Sequence, residues 1–195
     1  TSTSLMYHGW GIRDHSLAAT EYRQGSVIFH LAPKEGALRC PCRRSRDVIR
    51  KGVVKRTLRG HPIGTKPTWV KVPVQRVGCQ ACGITRQIKL QFADPKRNHI
   101  RGFERYVRHL CGHMTIQDIA AMLGSSWCLI RGIYKRYLRR QFQRPRLKHV
   151  RRIAIDEICI GDGKRYLTLV IDLDHSRVLY VGHGREAAAL NPFWK

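Results

Sequence analysis

The chain has 195 residues, 43% of them hydrophobic, which suits a folded protein and excludes wholesale disorder. Its 37 Lys+Arg against 13 Asp+Glu give a formal net charge of +24, the balance of a protein whose partner is a polyanion. No apolar run approaches the roughly 20 residues that cross a bilayer, so no membrane-spanning helix is expected, and residues 1–6 lack the basic region and apolar core of a signal peptide. Thr1 stands where a natural start would have Met. Seven cysteines, four of them in close pairs, indicate a reducing, cytoplasmic setting and metal ligation rather than a disulfide scaffold.

Along residues 1–38 the clearest strand is Ser26-Val27-Ile28-Phe29-His30-Leu31, bounded by Gly25 and Pro33. The pair Cys40-Pro41-Cys42 follows, then Asp47-Val48-Ile49-Arg50 and a stretch punctuated by Gly60, Pro62, Gly64 and Pro67. A strand-like run over 68–74 leads to the second pair, Cys79-Gln80-Ala81-Cys82, and residues 86–92 alternate with period two. Knuckle, strands, knuckle, strand is the layout of a zinc ribbon. Cys79 and Cys82 have the spacing that lets two sulfurs on one turn reach a single ion. Cys40 and Cys42 do not, since an ordinary knuckle would place its second cysteine at Arg43. Three outcomes follow: both ligate in distorted geometry, a nearby histidine displaces Cys42, or the site has lost its metal. Cys111, Cys128 and Cys159 lie on helical or strand patterns and read as small apolar residues.

The period then changes. Phe103, Val107, Leu110, Cys111 and Met114 recur at helical spacing, with Arg101, Arg105 and Arg108 opposite. Thr115 and Asp118 form a capping box opening a short helix through Ile116, Ile119, Ala120 and Leu123, ended by Gly124. Ser125 or Ser126 caps a third helix with an apolar stripe of Ile130, Ile133, Tyr134, Tyr137 and Leu138. Residues 100–141 therefore read as a helix-turn-helix. Ser125, Ser126, Trp127 and Arg131 would face base edges, and Lys135, Arg136, Arg139 and Arg140 would grip phosphates of double-stranded DNA. From 95 to 152 there are 15 Lys/Arg and only two acids, Glu104 and Asp118, which favours DNA over a merely solvated basic face.

Gln143-Arg144-Pro145-Arg146 reads as a linker. Three strands follow, over 152–160, 166–172 and 177–182, with turns at Asp162-Gly163 and Asp174-His175-Ser176 forming an antiparallel meander. Asp156 stands amid an apolar strand, where a carboxylate costs desolvation unless a divalent metal compensates. Glu157 alternates to the other face. Asp172 is either a ligand or a strand-end acid.

The order of parts resembles the ISL-three family of bacterial insertion-sequence transposases. The residues that carry the resemblance are Tyr7-His8-Gly9-Trp10-Gly11-Ile12-Arg13, the ribbon from 38 to 92, the run from Thr115 to Gly124, Ile155-Asp156-Glu157 and Gly184-Arg185-Glu186. The resemblance implies an α+β multidomain chain: an N-terminal strand and zinc-ribbon-like domain over 1–94, a helix-turn-helix over 95–145 and the start of a ribonuclease-H-like catalytic domain over 146–195. It implies structural zinc on Cys40, Cys42, Cys79 and Cys82, and a DDE enzyme in which Asp156 is the first catalytic carboxylate and a magnesium ligand. The reaction would be DNA cleavage and strand transfer at terminal inverted repeats, by a nucleoid-associated protein able to form homo-oligomers. The family's later aspartate and glutamate have no counterpart before residue 195, so the expectation is a chain that binds DNA without cutting it. The alternative is a zinc-ribbon and helix-turn-helix regulator without catalysis.

Overall fold

A computed structural model describes residues 5–34, 36, 38–142, 147–161, 163 and 165–194. The expected linker at 143–146, Asp162 of the expected turn and the opening residues 1–4 lie outside the described residues. The chain divides into two compact units, Thr1–Tyr134 and Lys135–Lys195.

In the first unit a short helix α1 (Leu5–His8) precedes strands β1 (His15–Arg23), β2 (Ser26–Pro33), β3 (Val48–Arg59), β4 (Thr68–Cys79) and β5 (Thr85–Gln87). The sheet order is β1-β2-β4-β3, with β5 also paired to β4. β2 runs parallel to β4 and the other pairs are antiparallel. Pro73 is tolerated inside β4 because the β2 ladder ends at Lys71, so the missing N–H opens no gap on that side. β4 alternates as its sequence requires: Val70, Val72 and Val74 are buried and the residues between are half-exposed. Residues 88–92 depart from expectation. Only 85–87 pair as a strand, and the alternation further on arises because Leu90 and Phe92 drop into the core from irregular chain.

Helices α2 (Arg101–Leu110), α3 (Ile116–Met122) and α4 (Trp127–Phe142) follow where the 3.6-residue period begins. Phe103 and Val107 from α2, Ile119 from α3, and Ile130 and Ile133 from α4 join Phe29, Leu58, Val70 and Val72 in one core. The boundary expected at 94/95 falls inside that core. Burying an aliphatic or aromatic side chain of this kind is worth about 1.5–3 kcal/mol, so sheet and helices stabilise each other. The division between the units falls within α4.

The second unit contains an antiparallel sheet of order β6-β7-β8, from strands β6 (Ile153–Cys159), β7 (Tyr166–Asp172) and β8 (Arg177–His183). A 3₁₀ turn (Ala187–Leu190) and a short helix α5 (Asn191–Trp194) follow. Its bounds match the meander read from the sequence to within a residue at each end. No described helix is long and apolar enough to cross a membrane.

Candidate nucleic-acid interface and metal centre

The helix-turn-helix is fixed by three local devices. Asp118 N–H donates to Thr115 Oγ1 at 3.2 Å while the Thr115 hydroxyl donates to Asp118 Oδ2 at 2.6 Å, closing the capping box. α3 ends in a Schellman turn, where Gly124 at φ 53° lets Ser125 N–H reach Ala120 O at 2.9 Å. Ser126 then caps α4, its Oγ accepting from Leu129 N–H at 3.2 Å. Of the two serines expected at this cap, Ser126 takes the role. The Ser125 hydroxyl turns back on Leu123 O at 3.4 Å.

Trp127 opens α4 with 43% of its surface exposed, and the Arg131 guanidinium lies 5.1 Å from its ring centroid. One helical turn separates them, so the stack is a property of i, i+4 spacing. Ser126, Arg131, Lys135, Arg139 and Arg140 are exposed, while Ser125 and Arg136 are half-buried. The first turn of α4 contains no acid.

Sequence reading missed Arg59. At the end of β3 it is 7% exposed, and its Nη2 donates to Leu123 O at 2.5 Å. Leu123 is the C-cap of α3, so the arginine satisfies a carbonyl the helix leaves orphaned and complements the negative end of its dipole. The guanidinium also lies 4.9 Å from the Trp69 ring centroid, and burial pulls its pKa below the usual value. The backbone of the same residue accepts from Ile100 N–H at 2.9 Å. Nothing in the sequence separates this arginine from the chain's other basic residues.

At the end of the sheet where β3 begins and β4 ends, Cys40, Cys79 and Cys82 converge, their sulfurs all within 4.8 Å of one another. Cys40 Sγ and Cys82 Sγ are 3.6 Å apart, close to the roughly 3.8 Å edge of a tetrahedral zinc–thiolate site. Cys40 and Cys79 are buried. The backbone N–H groups of Arg43 and Cys42 hold the Cys40 thiol at about 7, whereas burial pushes Cys79 up. Three soft donors at this separation, two of them buried and Cys82 half-buried, fit a zinc ion. Cys42 is exposed and stands outside the group, so the structure brings together three of the four expected ligands.

Asp156 is exposed on β6, and its Oδ1 accepts from Glu157 N–H at 2.8 Å. The desolvation argument drawn from its apolar neighbours does not hold, because Ile155 and Ile158 are themselves exposed. Asp172 is the buried acid among the described residues. It accepts from His175 Nδ1 at 2.9 Å, Arg177 Nε at 3.0 Å and Asp174 N–H at 3.1 Å. Burial works to raise its pKa, but these donors outweigh it and hold the carboxyl below its usual 3.8. These bonds close the turn between β7 and β8.

Its positive charge and its capped helix-turn-helix define the chain's class, that of helix-turn-helix proteins. Residues 88–138 match the helix-turn-helix domain of transposase family ISL3, and residues 153–195 match the DDE transposase model of the same family. The chain is 28% identical over 171 residues to the transposase for insertion sequence element IS1557 of Mycobacterium tuberculosis, covering 86% of this chain and 38% of that protein. It is 25% identical over 140 residues to the transposase for insertion sequence element IS1001 of Bordetella parapertussis, covering 72% of this chain and 34% of that protein. No solved structure matches it. Two separate stretches of the chain thus resemble the ISL3 family of insertion-sequence transposases, and the chain spans little more than a third of the length of these relatives. The DDE match implies a divalent metal. Among the described residues no group of three His, Cys, Asp or Glu forms around Asp156.

Proposed function

We propose that this chain is the DNA-recognising part of an insertion-sequence transposase, and that Asp156 is one carboxylate of its phosphoryl-transfer site. The observation that carries the reading is the Trp127–Arg131 stack at the start of a basic helix anchored by the Ser126 cap. Stacking holds the guanidinium extended at the end of the helix that enters a major groove, where a fork of N–H donors suits guanine O6 and N7. Ser125 and Ser126 border that edge. Lys135, Arg136, Arg139 and Arg140 supply phosphate contacts that set register rather than sequence.

Zinc, held by Cys40, Cys79 and Cys82, would brace the ribbon end of the sheet. The meander β6–β8 would form the opening strands of a ribonuclease-H-like domain, with Asp156 presented on β6. Magnesium, bound there with carboxylates the described residues do not supply, would activate the attacking oxygen and stabilise the leaving one. Transposase homo-oligomers, DNA cleavage and strand transfer at terminal inverted repeats belong to this proposal.

The test is fluorescence anisotropy with duplexes carrying the terminal repeats of the encoding element, against scrambled duplexes. Preferential binding that falls about tenfold or more with Arg131→Ala is expected; equal binding to both duplexes would remove the specific-recognition reading. For catalysis, strand transfer by a full-length protein bearing this sequence should be lost with Asp156→Ala.

A second reading, a DNA-binding regulator without catalysis, is favoured by the helix-turn-helix sharing one core with the first sheet, to which no residue of β6–β8 belongs. Retained joining activity in the Asp156→Ala protein would place the catalytic carboxylates elsewhere.

A further inference from the structure

The two cysteine turns are copies of one backbone design, position by position. Cys40 N–H donates to Ser45 O at 2.9 Å, as Cys79 N–H donates to Ile84 O at 3.1 Å. Arg44 N–H donates to Cys40 O at 2.9 Å, as Gly83 N–H donates to Cys79 O at 2.9 Å. Arg44 has φ 58° and Gly83 φ 67°, so both turns close through the same left-handed residue. The Cys40 sulfur receives the N–H groups of Cys42 and Arg43, and the Cys79 sulfur receives those of Ala81 and Cys82.

These correspondences align Arg43 with Cys82 and Cys42 with Ala81. Cys42 and Ala81 are both exposed, and Cys42 is the one cysteine of the four outside the sulfur group. A guanidinium carries donors only and stays protonated, so Arg43 cannot ligate a cation.

We infer that this end of the sheet is a three-thiolate centre for a soft divalent metal, whose fourth coordination position is left to an exchangeable ligand from solution. The inference rests on the zinc reading proposed above and goes beyond it in the ligand set. A tetrahedral site with three protein ligands and an open fourth is chemically unlike a closed structural ribbon, because small ligands enter and leave it without unfolding the turns. Cys42 takes no part.

The test uses the full chain, reduced with a phosphine and loaded with cobalt(II) as the spectroscopic stand-in for zinc. The expected wild-type spectrum has thiolate-to-cobalt intensity for three sulfurs, unchanged in Cys42→Ser and shifted by added mercaptoethanol as it takes the fourth position. In Arg43→Cys the charge-transfer intensity should rise by roughly a third, the shift with mercaptoethanol should vanish, and zinc should resist chelator about tenfold or more better. Cys79→Ser should abolish the signal in both backgrounds. A four-thiolate wild-type spectrum that Cys42→Ser reduces would overturn the three-thiolate centre while leaving the zinc reading in place. An Arg43→Cys protein that binds cobalt beside a wild type that does not would overturn it too. No cobalt or zinc on either protein would overturn the zinc reading itself.

Discussion

The two units spend their apolar residues differently. In the first, residues from the sheet and from all three helices of the helix-turn-helix meet in a single core, with Leu58, Val70, Ile100, Phe103, Val107, Ile119 and Ile130 at 0% exposure. In the second, Val170 and Leu179 are the buried apolar residues among those described, while Ile155, Ile158, Leu173, Val178 and Val181 remain exposed. A sheet needs a second layer on its apolar face, and the sheet in the first unit has one. The contrast teaches that the helix-turn-helix shares a substantial core with the first sheet, whereas the strand that presents Asp156 belongs to a sheet with little core of its own.

The sharpest way to break this contrast is truncation in the first core. Phe103→Ala should cost about 3–5 kcal/mol and unfold sheet and helices in one transition, read by denaturant titration with tryptophan fluorescence and circular dichroism. A sheet transition that survives the substitution would show that the helix-turn-helix folds separately. Arg59→Met should cost about 1–3 kcal/mol by leaving the Leu123 carbonyl with only the longer Ser125 hydroxyl bond, and should weaken the proposed DNA binding although the side chain is buried. Unchanged stability in Arg59→Met would remove it as the tie between strand and turn.

Smaller effects sharpen the comparison. Arg139→Ala should weaken binding uniformly across sequences and reduce the salt slope by about 1, in contrast to the sequence-dependent loss expected at Arg131. Arg44→Gly should stabilise the first unit by about 1 kcal/mol, because glycine adopts the left-handed conformation at φ 58° without the side-chain penalty. The last effect is confined to acid and to the second unit. Asp172 is depressed below its usual 3.8, so its stabilising contribution is present above that value and is lost as pH falls through the folded pKa. Asp172→Asn should flatten the pH dependence of stability below about 4, read by thermal melts across an acid series.

Much of this was legible in the sequence because the signals were local. The capping box at Thr115, the helical stripe through Phe103 and Val107, and the meander bounds all follow from short-range periodicity and turn chemistry. What sequence reading missed depends on contacts between distant segments. The strand expected over 86–92 failed because Leu90 and Phe92 alternate for the sake of a core rather than a neighbour. Asp156 was read as buried because the apolar residues around it signal burial only when a layer covers them. Arg59 was invisible because an arginine that meets a carbonyl 64 positions away looks like any other in a basic chain. The cysteine spacing puts Arg43 where an ordinary knuckle has its second cysteine. The repeated turn geometry then aligned that residue with Cys82 and left Cys42 outside the sulfur group.

The hydrogen bond from Arg59 to Leu123 also governs how the proposed DNA recognition could change its target. A recognition helix on a flexible joint could be exchanged between proteins like an interchangeable bit. Here the strand grips the turn in front of that helix, and their side chains share one interior. A new DNA preference would therefore arise either by altering exposed positions such as Trp127 and Arg131 in place, or by transferring strand and helix together.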